Sequence, residues 1–151
     1  MNRFFDRKTI LNRELSPWES KRLGFKGTSG IFQLQESDLR LKSDIAGGII
    51  WVPYGFFSDL ASIPTWVQFA VNMDSDDQRI AFGAWFHDYL YKQKGEIAVY
   101  TDDLQSFKMV KLTRKQCDQI LCDECMVDLY ASSFDRGRVY AGLRLGGWTS
   151  F

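Results

Sequence analysis

The sequence predicts an α+β fold, with N-terminal β-strands and hairpins followed by a small helical bundle. Three observations carry this expectation. Apolar residues alternate at 31–35 and 39–42, and an unbroken apolar run fills 49–52, as strands require. Over 76–92 the spacing of apolar residues becomes helical. Thr113-Arg-Lys-Gln116 then has the capping-box pattern that opens a helix.

Residues 1–29 read as an N-terminal arm to a core at 30–147, the whole chain 1–151 forming one domain. The arm carries Arg3, Arg7, Lys8, Arg13, Lys21, Arg22 and Lys26 against Asp6, Glu14 and Glu19, a pattern expected of a solvated face. Gly-Thr-Ser-Gly at 27–30 supplies turn chemistry before the strand at 31–35, and a second strand follows at 39–42. Gly-Ile-Ile-Trp-Val-Pro-Tyr at 48–54 reads as a buried strand that Pro53 either ends or places at an edge. Pro64 suits the first position of a short helix over 64–71. In the longer helix over 76–92, Ile80, Ala84, His87 and Tyr91 share one stripe while Phe82, Phe86, Tyr89 and Leu90 cover other faces. A helix apolar nearly all round is central to its domain. Segments 96–101 and 106–112 read as a hairpin around Asp102 and Asp103. The capped helix runs from Thr113 to about Ala131, and Ser132 or Ser133 caps a last short helix ending near Gly146-Gly147.

Nineteen basic and nineteen acidic side chains cancel, so there is no strong nucleic-acid signal. Three cysteines, an odd number and clustered, argue against a secreted disulfide framework. No apolar run opens the chain as a signal peptide does, and none approaches the ~18 residues of a membrane span. The expectation is a soluble protein of a reducing cytoplasm. Aromatic residues reach 15%, which suits a dense core, an adhesive surface, or both.

His87, the one histidine, lies in Trp85-Phe-His-Asp-Tyr-Leu-Tyr91. Gly83 and Ala84, one turn earlier, allow another backbone to approach beside the imidazole. On the second helix Asp118, Leu121, Cys122, Cys125 and Leu129 form one stripe, which turns Asp118 inward. An inward carboxylate needs a partner. If the helices pack antiparallel, His87 and Asp118 meet. A carboxylate bonded to one ring nitrogen fixes the tautomer and leaves the other nitrogen as a base for water or substrate. Asp88 lies about 100° further round the helix and is a candidate metal residue. The same residues also read as a structural His–Asp pair with an exposed Asp88.

In the segment 52–64, Ser58, Asp59 and Ser62 sit among apolar residues, and Gly55 permits a tight turn. Asp59 either caps the following turn or adds a polar group facing His87. No Gly-x-Ser-x-Gly elbow is present, so Ser58 or Ser62 with His87 and Asp118 make a triad by inventory only. Cys117-x4-Cys122-x2-Cys125 has an iron–sulfur-like spacing without a fourth cysteine, and His87 would complete a Cys3His zinc set. Its alternative is core packing, since Cys122 and Cys125 lie on the apolar stripe.

The series Val-Pro-Tyr-Gly-Phe-Phe-Ser-Asp-Leu-Ala-Ser-Ile-Pro (52–64), His-Asp-Tyr-Leu-Tyr (87–91), Thr-Arg-Lys-Gln-Cys-Asp (113–118) and Arg138 to Gly147 resembles an uncharacterised domain family of tailed phages and prophages. The likeness covers about residues 30 to 147. It implies a bacteriophage origin, synthesis in a bacterial host cytoplasm, incorporation in the virion as one outcome, and a phage or host protein as partner. A looser likeness is to phospholipase A2, whose pattern of His-Asp-x-x-Tyr on one helix and Cys-Asp on the next is matched here. It implies His87 as the water-activating base, Asp118 as its orienter, Tyr91 as a supporting hydrogen bond, Asp88 as a ligand of calcium or another divalent cation, and a lipid substrate. The sequence departs from that family in lacking its disulfides and in its one candidate for the glycine-rich calcium loop, Tyr54-Gly55-Phe56, which lies far upstream of His87 and has a single glycine.

Two functions therefore stand as expectations. One is a hydrolase built on His87 and Asp118, with Asp88, Asp59 and Ser58 holding a cation or substrate. The other is a non-enzymatic virion component or host-factor binder in which the same cluster is structural. A pocket open to His87 favours the first, and a sealed His87 the second.

Overall fold

In a strand, alternate side chains point to opposite faces, so one buried face implies one solvated face. Leu39, Leu41 and Ser43 are buried while Arg40 and Lys42 between them are not, which makes β3 (Leu39–Ser43) a strand of this type. A computed structural model of the protein describes residues 12–25, 30–35, 39–58, 78–146 and 151. Within these, β3 pairs with β4 (Gly48–Val52), β4 with β6 (Glu96–Tyr100), and β6 with β7 (Phe107–Lys111), all antiparallel. The inner face of this four-stranded sheet presents Leu39, Leu41, Ile50, Val52, Ile97 and Val99 to the core. Its outer face carries Trp51, Tyr100 and Phe107 in a row of ring contacts, with the Arg40 guanidinium over Trp51.

A second, three-stranded sheet has the order β1 (Asn12–Glu14), β2 (Phe32–Leu34), β5 (Phe57–Ser58). The described part of the expected arm is thus built into the fold. Asn12 pairs opposite Leu34, and helix α1 (Pro17–Arg22) follows with a capping box between Ser16 and Glu19. The turn at 27–30, apart from Gly30, and the short helix over 64–71 lie outside the described residues, as do Asp59 and Ser62.

Helix α2 (Gln78–Lys92) is central. Gly83 to Asp88 are all buried, with Trp85, Phe86 and Leu90 in the core. The second helix is not a uniform α-helix to Ala131. It runs as α3 (Arg114–Gln119), a π-helical segment (Ile120–Cys125) and α4 (Met126–Asp128). Two tertiary demands fall on the π segment. A Cβ on Gly83 would lie 2.5 Å from Leu121 Cδ1 and 2.8 Å from Cys125 Cβ, so α2 touches the rod at a residue without a side chain. Glu124, buried in the same segment, accepts from the backbone N–H of Asp44 and Ile45 at 2.8 and 3.1 Å and fixes the turn between β3 and β4. Helix α5 (Ser133–Gly146) closes the bundle by burying Val139 and Leu143.

Candidate functional site

Along α2, Gly83 faces Leu121 and Cys125, whereas Tyr91 bonds to Asp118 and lies near Arg114. The two helices therefore run antiparallel, and the condition for joining His87 to Asp118 is met. His87 Nε2 lies 3.0 Å from Asp118 Oδ1. The same oxygen accepts from Tyr91 Oη at 2.5 Å, and Oδ2 accepts from Arg144 Nη1 at 3.0 Å. Both carboxylate oxygens are thus occupied from α2 and α5.

Burial pushes the Asp118 carboxyl up, but the hydrogen bonds from His87, Tyr91 and Arg144 outweigh it and hold it below the ordinary carboxylate value. An ionised carboxylate only accepts, so His87 Nε2 carries a hydrogen and donates to it. Nδ1 is buried and has no hydrogen-bond partner among the described residues. Burial, then the bond to Asp118, push the Tyr91 phenol up, so it stays protonated as a donor.

Arg114 and Arg144 complete the cluster. Arg114 Nε donates to Tyr91 Oη at 3.4 Å, and its Nη2 donates to the carbonyls of Leu143 and Arg144 at 2.6 and 3.0 Å. It therefore binds the C-terminal end of α5, where carbonyls lack helical partners and a cation is favoured. Sequence reasoning assigned neither arginine a role. Both lie in the motifs that carry the resemblance, but an exposed arginine and an inward one look alike until the helix is docked.

Asp88 and Ser58 form a separate contact. The Ser58 hydroxyl donates to Asp88 Oδ2, and both residues are buried. Asp88 is therefore not the exposed residue that the structural alternative expected, and no hydrogen bond joins Ser58 to His87. Among the described residues no group of three or more His, Cys, Asp or Glu side chains converges as a metal site. A calcium ion on Asp88 lacks a ligand set there, and so does zinc on the cysteines with His87. Cys117, Cys122 and Cys125 are free thiols in the core. Burial, then the Asp118 charge, push the Cys117 thiol up to about 12.

No helix among the described residues is long and apolar enough to cross a membrane. The model of a family described as a protein of unknown function, DUF1353, matches residues 33–143. No curated protein and no solved structure matches the chain.

Proposed function

The chain belongs to the DUF1353 family, whose function is unknown, and on that footing we propose that it works without catalysis, as a virion component or host-factor binder of a tailed phage or prophage. The observation that carries this reading is the sealing of the dyad. His87 is 1% exposed and Asp118 is 0% exposed, with three donors on one carboxylate. A water-activating histidine has to meet water and substrate. This one meets Asp118 of α3 and the Tyr91 ring, and the bonds that converge on Asp118 fasten α2, α3 and α5 together. A protein partner suits the surface: Phe107 and Met109, 61% and 65% exposed, stand on the edge strand β7 beside the Trp51–Tyr100 pair.

The test is the unfolding midpoint of His87→Asn against the parent near neutral pH. Loss of the ring leaves a buried donor or acceptor unpaired, an expected cost of about 1–3 kcal/mol. A variant as stable as the parent would count against a fastening role, since groups retained for activity often do not help stability.

A second reading rests on one observation, the buried His87 Nδ1 without a hydrogen-bond partner among the described residues. A hydrolase would use that nitrogen as general base with Asp118 as the orienting carboxylate. Hydrolysis of a phospholipid or simple ester by the parent, lost in His87→Asn, would establish it in place of the first.

A further inference from the structure

On the side of the rod away from α2, an open groove of about 500 Å³ runs between α3 with its π segment and α5. Lys115, Gln119 and Asp123 line it at every fourth position of the rod, and Ser133, Arg136 and Tyr140 face them from α5. None of these residues belongs to the His87 cluster.

The groove holds unused donors. Lys115 makes no ion pair or hydrogen bond among the described residues, and it is exposed. The Arg136 guanidinium has five N–H donors. One nitrogen, Nη1, serves both a long bond of 3.4 Å to the Cys122 carbonyl and an ion pair of 3.5 Å with Asp123. Arg136 Nε is buried without an acceptor. The groove has one carboxylate, Asp123, against two cations, and that carboxylate is loosely held.

We propose that this groove is a binding site for a small phosphate monoester, whose oxyanion is received by Arg136 and Lys115. A fork of guanidinium donors matches phosphate geometry, and a lysine adds a mobile point charge. The ligand displaces Asp123 from Arg136, and this favours phosphate over carboxylate. A phosphate monoester carries about −1.5 to −2 charge near neutrality and three acceptor oxygens, against a single charge on a competing carboxylate. The volume exceeds that of a phosphate alone and lies within the range of small-molecule sites, roughly 300–1,000 Å³, which leaves room for the organic part. Gly137 stands at this groove in α5, and a Cβ added there meets nothing within 4 Å.

The test is a titration of the full chain with phenyl phosphate and with inorganic phosphate, followed by amide chemical shifts, with acetate as the competing anion. Saturable shifts centred on Lys115, Arg136 and Tyr140 are expected, with acetate at least tenfold weaker. Arg136→Gln and Lys115→Gln should each lower affinity about tenfold, consistent with loss of one charge-assisted contact. Asp123→Asn should raise affinity several-fold, because the competitor and its repulsion are gone. Gly137→Leu should abolish binding while retaining the folded spectrum. Absence of saturable shifts, equal affinity for acetate, or unchanged binding in both Arg136→Gln and Gly137→Leu would overturn the assignment.

Discussion

Asp118→Asn is the most direct probe of the central cluster, because the two residues have nearly the same shape and the structure dictates how the amide must sit. If the amide nitrogen takes the Oδ1 position, it faces two buried donors, His87 Nε2 and Tyr91 Oη. If it takes the Oδ2 position, it faces only Arg144, whose side chain is 38% exposed and can turn to water. The second arrangement is the one adopted. Its cost has two parts. The bond to Arg144 is lost, about 1 kcal/mol once its partial exposure is allowed for. The bonds from His87 and Tyr91 fall from charge-assisted to neutral, about 1 kcal/mol each. The sum is about 3 kcal/mol, or a fall in Tm of roughly 6–12 °C for a chain of this size. Urea denaturation with an unchanged m-value reads it directly. A loss below about 1 kcal/mol would mean that Asp118 is not the shared acceptor described above.

Acid unfolding should depend on the same residue. A carboxyl held below its ordinary value contributes stability that is present above about pH 4, its unfolded value, and is lost as pH falls through the folded value. The parent should therefore lose stability on acidification faster than Asp118→Asn, and parallel pH profiles of the urea midpoint would contradict this. Gly83→Ala should destabilise by about 1–3 kcal/mol despite the better helix propensity of alanine, because the new methyl group meets Leu121 and Cys125 inside contact distance. Thermal denaturation checks it, and a more stable variant would show that the π segment yields. The three thiols should resist a thiol-specific reagent in the native protein and all react in denaturant, since burial raises Cys117 and Cys122 and none is exposed. Rapid native labelling of one of them would refute this.

The approach of His87 to Asp118 was legible because few other arrangements satisfied the residues. One imidazole lay on a helix apolar nearly all round, and one acid lay on the buried stripe of the next helix. Two inward polar groups in one core seek each other. Spacing placed Tyr91 on the stripe of His87, and its hydrogen bond was implied only by the likeness to phospholipase A2. Arg144 was not legible in the same way, because its role depends on how α5 docks, and α5 is only weakly amphipathic in sequence. The π segment carries no local signature either. Ile120 to Cys125 reads as ordinary helix, and the widened turn coincides with contacts from Gly83 and from the β3–β4 turn, both distant in sequence. Strands β2 and β3 were readable from alternation and β4 from its apolar run, whereas β1 and β5, with three and two residues, are too short to show a period.

The tie between Arg144 and Asp118 also orders events during synthesis. A ribosome releases α2 and the rod before α5, so the carboxylate that α2 meets is made before its cation. A nascent chain that folded at that stage would enclose a negative charge without its counterion, which is unfavourable. Val139 and Leu143, which cover the rod, emerge with the same helix that brings Arg144. Apolar cover and charge neutralisation thus arrive in one step, on a single helix that is made last of the elements meeting at Asp118.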